Sequence, residues 1–572
     1  MPIPMSMIRA RAMLQQVAVV LMAALPLVVL RFAADPYQPG RGLVLGIAGL
    51  LAVAAAGGIG VPRSRQARAA LLALAAATIL VIAAAIVGGP ASAVFGVHGR
   101  YQGLASGLAA LVAFGVGLAS ARHTRTFARA IALVLVVQSV VVLAQVPQGA
   151  APMGTIGNQV LAGGWLAIAI AVVIAASRAE RPPVSVVLWA AGAIGALALG
   201  AVGSRGAWVG VVAGLGVGVL AARSTRVRLA TAALVAVVVI GTLAGGAASL
   251  AKLDPGSLDE GSAASRFHIW RGTASMIADH PQLGVGTGRF LYVFPVHQPA
   301  EHAQAEPGVR ADQAHSLPLQ TAAESGVLAA LAAGAFIALS LAAGAARIRQ
   351  GDAAALIATA GLAAWAAQAF FGISTIEADG LAFMFAGVLL ARSGTASASG
   401  SGRLALGVAS AVLVAGCAWY VSADALHLRG IDAFYAGEMQ SAWDLETAAT
   451  RRNPLVDSYR VGAADAASYG AASDAAALET VEAGIRLEPM SYDLLLARAR
   501  LLRSSGTPSD AVLAAYRAAY ESYPLGQAVG HEAIGAALAA GDTEVARDIA
   551  LRLLAAYPND ALALSVVEEG GR

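Results

Sequence analysis

The sequence predicts an all-α protein: a polytopic membrane helical bundle of about 12–13 spans, followed by a C-terminal α-solenoid of short helical repeats. Three observations carry this expectation. Of 572 residues, 58% are hydrophobic and only 13% charged, roughly half the charged fraction of a soluble domain. Thirteen apolar runs are each long enough to cross about 30 Å of hydrocarbon, and the arginines between them fall in alternate loops. Beyond residue 430 the hydrophobicity drops, and proline and glycine recur together every 34 or 35 residues.

In chain order the apolar runs lie near 12–30, 43–61, 69–88, 103–121, 129–147, 159–177, 184–202, 206–222 and 229–250, then near 318–346, 353–372, 376–391 and 403–421. Arg9 and Arg11 precede the first, and no small-residue cleavage site follows before Asp35, so a retained helix is expected rather than a removed signal peptide. The clusters Arg63, Arg65 and Arg68, Arg122, Arg125 and Arg129, Arg178 and Arg181, Arg223, Arg226 and Arg228, Arg347 and Arg349, and Arg392 and Arg403 occupy every second loop. Positively charged loops stay in the cytoplasm. The N-terminus is therefore expected inside, and the loops near 31–42, 89–102, 148–158, 203–205, 251–317 and 373–375, with everything after 422, face outward to the periplasm or exterior. This divides the chain into a membrane domain over 1–422, with an outer loop at 251–317, and a repeat domain over 423–572.

Composition also excludes some functions. The net charge of +4 is almost wholly arginine, since Lys252 is the only lysine, and it is spread between spans rather than gathered on one basic face. That pattern sets membrane topology and gives no nucleic-acid surface. Cys417 is the single cysteine, which rules out an intrachain disulfide or a cysteine metal site. Five of the nine histidines (His268, His280, His297, His302 and His315) fall in the outer loop, but no HExxH or comparable ligand spacing occurs, so neither metal nor cofactor is expected.

In the C-terminal part, Asn453-Pro454, Glu488-Pro489, Tyr523-Pro524 and Tyr557-Pro558 keep phase with Gly437, Gly470, Gly506 and Gly541. Glycine allows the turn within a helix pair, and proline ends its second helix. The pattern resembles the tetratricopeptide (TPR) repeat, whose period is 34. Such repeats stack into one continuous core and offer a surface for a protein partner.

Three expected outward places could carry chemistry. In GSRGAWVG, Arg205 sits at the membrane edge, where a cation must meet water, a partner or an anion; snorkelling to the interface is the plain alternative. In SRFHIWRGTASMIADHPQLGVGTGRF, Arg266 and Trp270 share a helix face at i, i+4 spacing, whereas Arg271 lies well round the helix. The GVGTG run there belongs to no strand–turn–helix unit, so it reads as a close backbone turn and not a nucleotide loop. In RADQAHSLPLQTAAESGVL, His315 stands just before a helix with Pro318 in its first turn, an end that attracts phosphate, and can exchange a proton near neutral pH. Glu324, about two turns into that apolar helix, requires a partner. It could brace His315 or an arginine, although nine residues place it on the opposite side of a straight helix.

Taken together, HGRYQGL (98–104), GTIGNQVLAGGWLA (154–167), GSRGAWVG (203–210), RFHIW with DHPQLGVGTGRF, and AHSLPLQTAAESGVLAAL (314–331) resemble, in order, the O-antigen ligase and O-antigen polymerase superfamily of membrane glycosyltransferases. The resemblance covers about 98–345. It departs at Ser316, where the family commonly has asparagine, and in the thirteenth span with its repeat domain. It implies metal-independent, inverting transfer of a glycan from an undecaprenyl-diphosphate carrier to an acceptor hydroxyl of a glycan, lipid or protein. Arg205 and Arg266 would bind the diphosphate, His315 would activate the acceptor, and Arg271, Arg100 and Glu324 would support them. A polysaccharide polymerase and a protein O-oligosaccharyltransferase fit the same resemblance. A non-enzymatic membrane-anchored repeat protein is the reading from another class. Polar residues gathered at one face rather than at the midplane argue against a transporter.

Overall fold

The computed structural model describes residues 5–56, 64–149, 151–221, 229, 262–391 and 400–569. All but the first residue of the apolar run at 229–250 lies outside them, as does the loop at 251–261. Twelve of the thirteen expected apolar segments are helices, and every regular element among the described residues is helical. The first group is α1 (Met5–Ala24), α2 (Gln38–Ala55), α3 (Arg65–Gly88), the short α4 (Pro90–Phe95), α5 (Leu104–Ser120), α6 (Thr124–Gln145), α7 (Gln159–Ser177), α8 (Pro182–Val202) and α9 (Arg205–Ala221). The outer loop forms α10 (Ser262–Asp279), α11 (Phe290–His297) and α12 (Ala300–Ala305). There follow α13 (Leu317–Ser325), α14 (Val327–Arg349), α15 (Ala353–Ala369), α16 (Ile376–Leu390) and α17 (Gly400–Tyr435).

Eight stretches are long and apolar enough to cross a membrane, one of which, Leu104–Gln148, holds both α5 and α6. The centre of the bundle is α7, in which every residue from Ala162 to Ser177 is buried. It packs on α8, α9 and α15, as expected of a helix with no polar face to turn outward. By contrast α3 and α14 pair at the periphery and expose Leu72, Ile79, Ile86, Leu328 and Leu331, the side chains a lipid would cover.

The two ends of the bundle differ chemically. At one end Arg122 binds the Gln15 carboxamide, Arg178 donates to the carbonyl of Gly218 (2.6 Å), and Arg347 donates to Asp352 and to the carbonyl of Val388. At the other, the N-terminal turns of α2, α5, α7, α9 and α16 converge, and the outer loop covers them. There Arg41 and Glu377, 0% and 1% exposed, form an ion pair at 2.8 Å, and Gln38 accepts from the Ile376 amide.

The expected span at 318–346 is two helices. Gly326, with φ of 87°, breaks it, and its missing side chain is required: a Cβ there would lie 1.9 Å from the Gln282 carbonyl oxygen. The outer-loop backbone inserts at this break, where the Val327 amide donates to Pro281 and those of Val285 and Gly286 donate to Ala323 and Glu324. On its other side Gly286 lies against Gly88, where an added Cβ would be 2.6 Å from the Gly88 Cα. The GVGTG run is thus a close backbone turn, wedged between α3 and α13.

The last apolar helix does not stop at the membrane. α17 runs 36 residues, about 54 Å at 1.5 Å per residue, and its C-terminal part is the first helix of the repeats. With it stack α18 (Met439–Arg452), α19 (Ser458–Ser468), α20 (Asp474–Leu487), α21 (Tyr492–Ser504), α22 (Ser509–Ser522), α23 (Gln527–Ala539), α24 (Thr543–Ala556) and α25 (Ala561–Glu569). Gly437, Gly470, Gly506 and Gly541 all have positive φ in the turns within pairs. Helices end just before each expected proline step, so period and punctuation have the structural meaning read from them.

The solenoid lies on the outer loop along its proline-turn edge. Arg289 pairs with Glu488 at 2.6 Å, Arg310 with Asp493 at 2.9 Å, and the Tyr292 hydroxyl donates to Asp457 at 3.0 Å. Further out, Gln304 donates to the Ala556 carbonyl and Tyr557 to that of Ala303.

Candidate functional site

His315 occupies a backbone conformation with φ of 50°, one of two non-glycine residues with positive φ among those described; the other is Tyr101, at 53°. Strain of this kind persists only where surroundings enforce it, and the two strained residues lie on facing loops tied together on both sides. Arg100 Nε donates to Asp312 at 2.5 Å, and Gln102 Nε2 donates to Gln313 at 3.1 Å and to the Ser374 carbonyl at 3.2 Å. Behind the histidine, the Ala314 amide donates to Gln320 Oε1 (2.7 Å) and the Ala314 carbonyl accepts from Trp270 Nε1 (2.9 Å). Ser316 is the N-cap of α13 but makes no side-chain capping bond; Gln320, one turn in, holds the loop instead.

The half-buried imidazole sits among cations. Burial first, then the charges of Arg266 and Arg100, hold His315 down to about 4, with Asp312 pulling the other way. It is therefore uncharged near physiological pH. Arg266 donates from Nη1 to the Phe371 carbonyl at 3.2 Å, and Trp270 places its ring 6.3 Å from that of Phe371. Burial and then the Arg205 charge push the Arg266 guanidinium below its ordinary value. Arg205 opens α9, and its neighbour Gly206 lies against Phe371, where a Cβ would be 3.1 Å from the Phe371 Cβ. The α15–α16 turn is thus the point where α9 and α10 meet, and Arg205, Arg266, Arg100 and His315 form one electropositive cluster beside it.

Two of the six expected residues lie elsewhere. Arg271 is paired with Glu301 at 3.0 Å on the exposed side of α10. Glu324 does not brace His315: its Oε1 accepts from the Phe290 amide at 3.2 Å. Burial raises it to about 7, opposed by bonds from the Gly288 and Phe290 amides and from Gln320. It fastens the GVGTG turn to α13, because the helix break at Gly326 leaves it facing the outer loop. Among the described residues no three His, Cys, Asp or Glu side chains converge as metal ligands; His297 faces Asp279 at 3.6 Å, and His302 bonds Gln298 at 2.8 Å.

A second polar cluster was not legible as a cluster in the sequence, because His98 and Asp35 reach its other members across more than 300 residues. His98 Nε2 meets Asp424 Oδ1 at 2.8 Å, Asp424 Oδ2 accepts from the Asp35 amide, and His427 Nδ1 meets Glu446 at 2.8 Å. The His98 and His427 rings are edge to face at 5.1 Å. Burial opposes the charge on His98, but its bond to Asp424 and the nearby carboxylates carry it upward overall. This cluster locks the HGRYQGL loop, two residues from Arg100, to the root of the repeat domain.

Fold and site together define a multi-pass membrane protein with a cationic, histidine-bearing cluster at one end of its bundle and TPR-like helical repeats beside it. Residues 190–334, about a quarter of the chain, match the family described as O-antigen ligase. The matched segment carries Arg205, Arg266, Arg271, His315 and Glu324, and over it the chain is similar to the O-antigen ligase family of membrane proteins. No curated protein matches the chain. Among solved structures, "YrrB: a TPR protein with an unusual peptide-binding site" is similar at 16% identity and a TM-score of 0.22, over 29% of this chain and 82% of that one.

Proposed function

We propose that this protein is a ligase-type glycosyltransferase of the cell membrane that moves a glycan from an undecaprenyl-diphosphate carrier to an acceptor hydroxyl at the outward face. The observation that carries this reading is the convergence of a neutral, desolvated His315 with Arg205, Arg266 and Arg100. Residues 1–422 are the membrane domain and 423–572 the repeat domain, with the arginine-rich end of the bundle cytoplasmic by the positive-inside rule. The diphosphate lies against Arg205 and Arg266, whose permanently charged, bidentate donors suit it. His315 takes the proton of the acceptor hydroxyl as its oxygen attacks the anomeric carbon. The bond from that carbon to the diphosphate breaks on the opposite side, inverting the centre, and the arginines stabilise the charge left on the departing undecaprenyl diphosphate. Arg100 and Glu324 act as positioning residues, and the step uses no metal.

The test is transfer from a synthetic undecaprenyl-diphosphate glycan in membranes supplied with candidate acceptors and EDTA. His315→Ala should lower the rate by roughly 10²–10⁴-fold and Arg205→Ala or Arg266→Ala by roughly 10²–10³-fold, whereas Arg271→Ala should stay near wild type. The mass of the product separates a ligase from a polymerase or a protein glycosyltransferase. Transfer untouched by the first three substitutions would overturn the reading in favour of an anchored assembly protein.

A further inference from the structure

A cavity of about 410 Å³ lies between the outer loop and the repeat domain, within the size range of small-ligand sites. Its wall comes from four parts of the chain: the HGRYQGL loop with His98, α11 with Tyr292, the emergent end of α17, and the repeat helices α18, α19 and α21. The lining carries Glu446, Asp457, Asp465 and Asp493 and no arginine or lysine. Three of these carboxylates already have partners: Glu446 has His427, Asp457 has Tyr292 and Ser491, and Asp493 has Arg310. What they offer a ligand is less a net charge than spare acceptor lone pairs. Asp465 has no ion pair among the described residues and is raised by burial. Ser458 Oγ, also on the wall, is enclosed without a hydrogen-bond partner.

Between these acceptors stand apolar faces from Phe434, Tyr435, Leu291 and Val461. Two wall glycines leave room for the Glu446 side chain: a Cβ at Gly430 or Gly462 would come within 2.7 or 2.8 Å of it. Acceptors alternating with ring and aliphatic faces complement a molecule that has hydroxyl donors on its rim and C–H groups on its faces. The cavity wall carries no arginine or lysine, unlike the arginine cluster, although both hang from one loop through His98 and Arg100. A diphosphate is drawn to the cluster and finds no such guanidinium donors in the cavity.

We propose that this cavity is a glycan subsite that holds uncharged sugar residues of either the chain being transferred or its acceptor. The inference rests on the glycosyltransferase reading and extends it to where the sugars lie. It is tested by saturation-transfer NMR on the full chain in nanodiscs, with maltose and N,N′-diacetylchitobiose as probes and pentalysine as a cationic control. At least one disaccharide should bind wild type and His315→Ala equally, and Asp465→Asn and Tyr435→Ala should each weaken it by about tenfold or more. Tyr435 is 84% exposed, so its loss leaves the fold intact. In the transfer assay the same two variants should raise KM with kcat unchanged, for the donor if the cavity holds donor sugars and for the acceptor if it holds those. Binding of neither disaccharide, equal binding by both variants, or displacement of the disaccharide by pentalysine would overturn the proposal. Disaccharide binding by a wild-type chain that transfers nothing would instead sink only the glycosyltransferase reading.

Discussion

Replacing Glu488 by alanine should release the outer loop from the repeat domain. Glu488 is 3% exposed and its partner Arg289 15%. Two guanidinium nitrogens reach the carboxylate at 2.6 and 3.1 Å, and the Ser92 hydroxyl donates to it at 3.0 Å. At 2.6 Å and an effective dielectric of about 20 the attraction is roughly 6 kcal/mol, much of it offset by the desolvation of both groups. Removing one partner leaves the other buried and uncompensated, at a cost of about 3–5 kcal/mol. Among the described residues, Arg289 would keep the Val285 carbonyl, at 3.2 Å. The open population of the loop should therefore rise roughly a hundredfold to a few thousandfold, read as faster amide exchange across 284–297 by mass spectrometry in nanodiscs. The double variant Arg289→Met/Glu488→Met should cost less than either single change, since no orphaned charge remains. Exchange across 284–297 within twofold of wild type in Glu488→Ala would refute the idea that the repeats brace this loop.

Two further predictions concern pH. Because His315 must be unprotonated to accept a proton, and sits at about 4, kcat/KM should stay flat from pH 8 to about 5 and fall below that; Arg266→Gln removes a neighbouring cation, raises His315 and moves the acid limb of the profile to higher pH. Glu324 is raised from 4.5 to about 7, so its contribution to stability is fully present below 4.5 and is lost as pH rises through 7, about 3 kcal/mol in all. Glu324→Gln keeps an acceptor for the Phe290 amide and removes the titration, so its melting temperature should be level between pH 5.5 and 8 while that of the wild type declines.

Regular patterns were legible in the sequence and long-range closures were not. The apolar runs and the phased Gly and Pro positions become helices and turns because each depends on neighbours within one or two turns of chain. The i, i+4 relation correctly set Arg266 beside Trp270 and sent Arg271 elsewhere. The same logic failed at 318–346: the run looks continuous, yet Gly326 is needed where the Gln282 backbone crosses it, a contact between segments 44 residues apart that no local pattern announces. That hidden break also explains why Glu324 faces the outer loop. The strained backbone of His315 had no signal either, since the ties that enforce it come from Arg100 and Gln102, more than 200 residues away. His98 and Asp424, 326 residues apart, were invisible for the same reason.

The unbroken helix from Gly400 to Tyr435 has a geometric consequence of its own: it acts as a height gauge. If the bilayer ends near residue 421, where the apolar run stops, His427 and Phe434 stand about 9 and 20 Å above the hydrocarbon at 1.5 Å per residue. With no joint between span and solenoid, that elevation is built into the chain. On the proposed function, the arginine cluster lies at the lipid boundary, level with the carrier's diphosphate. The upper cavity is reachable only by the part of a ligand that projects well clear of the headgroups. Vertical position, as much as chemistry, would then sort phosphate from sugar.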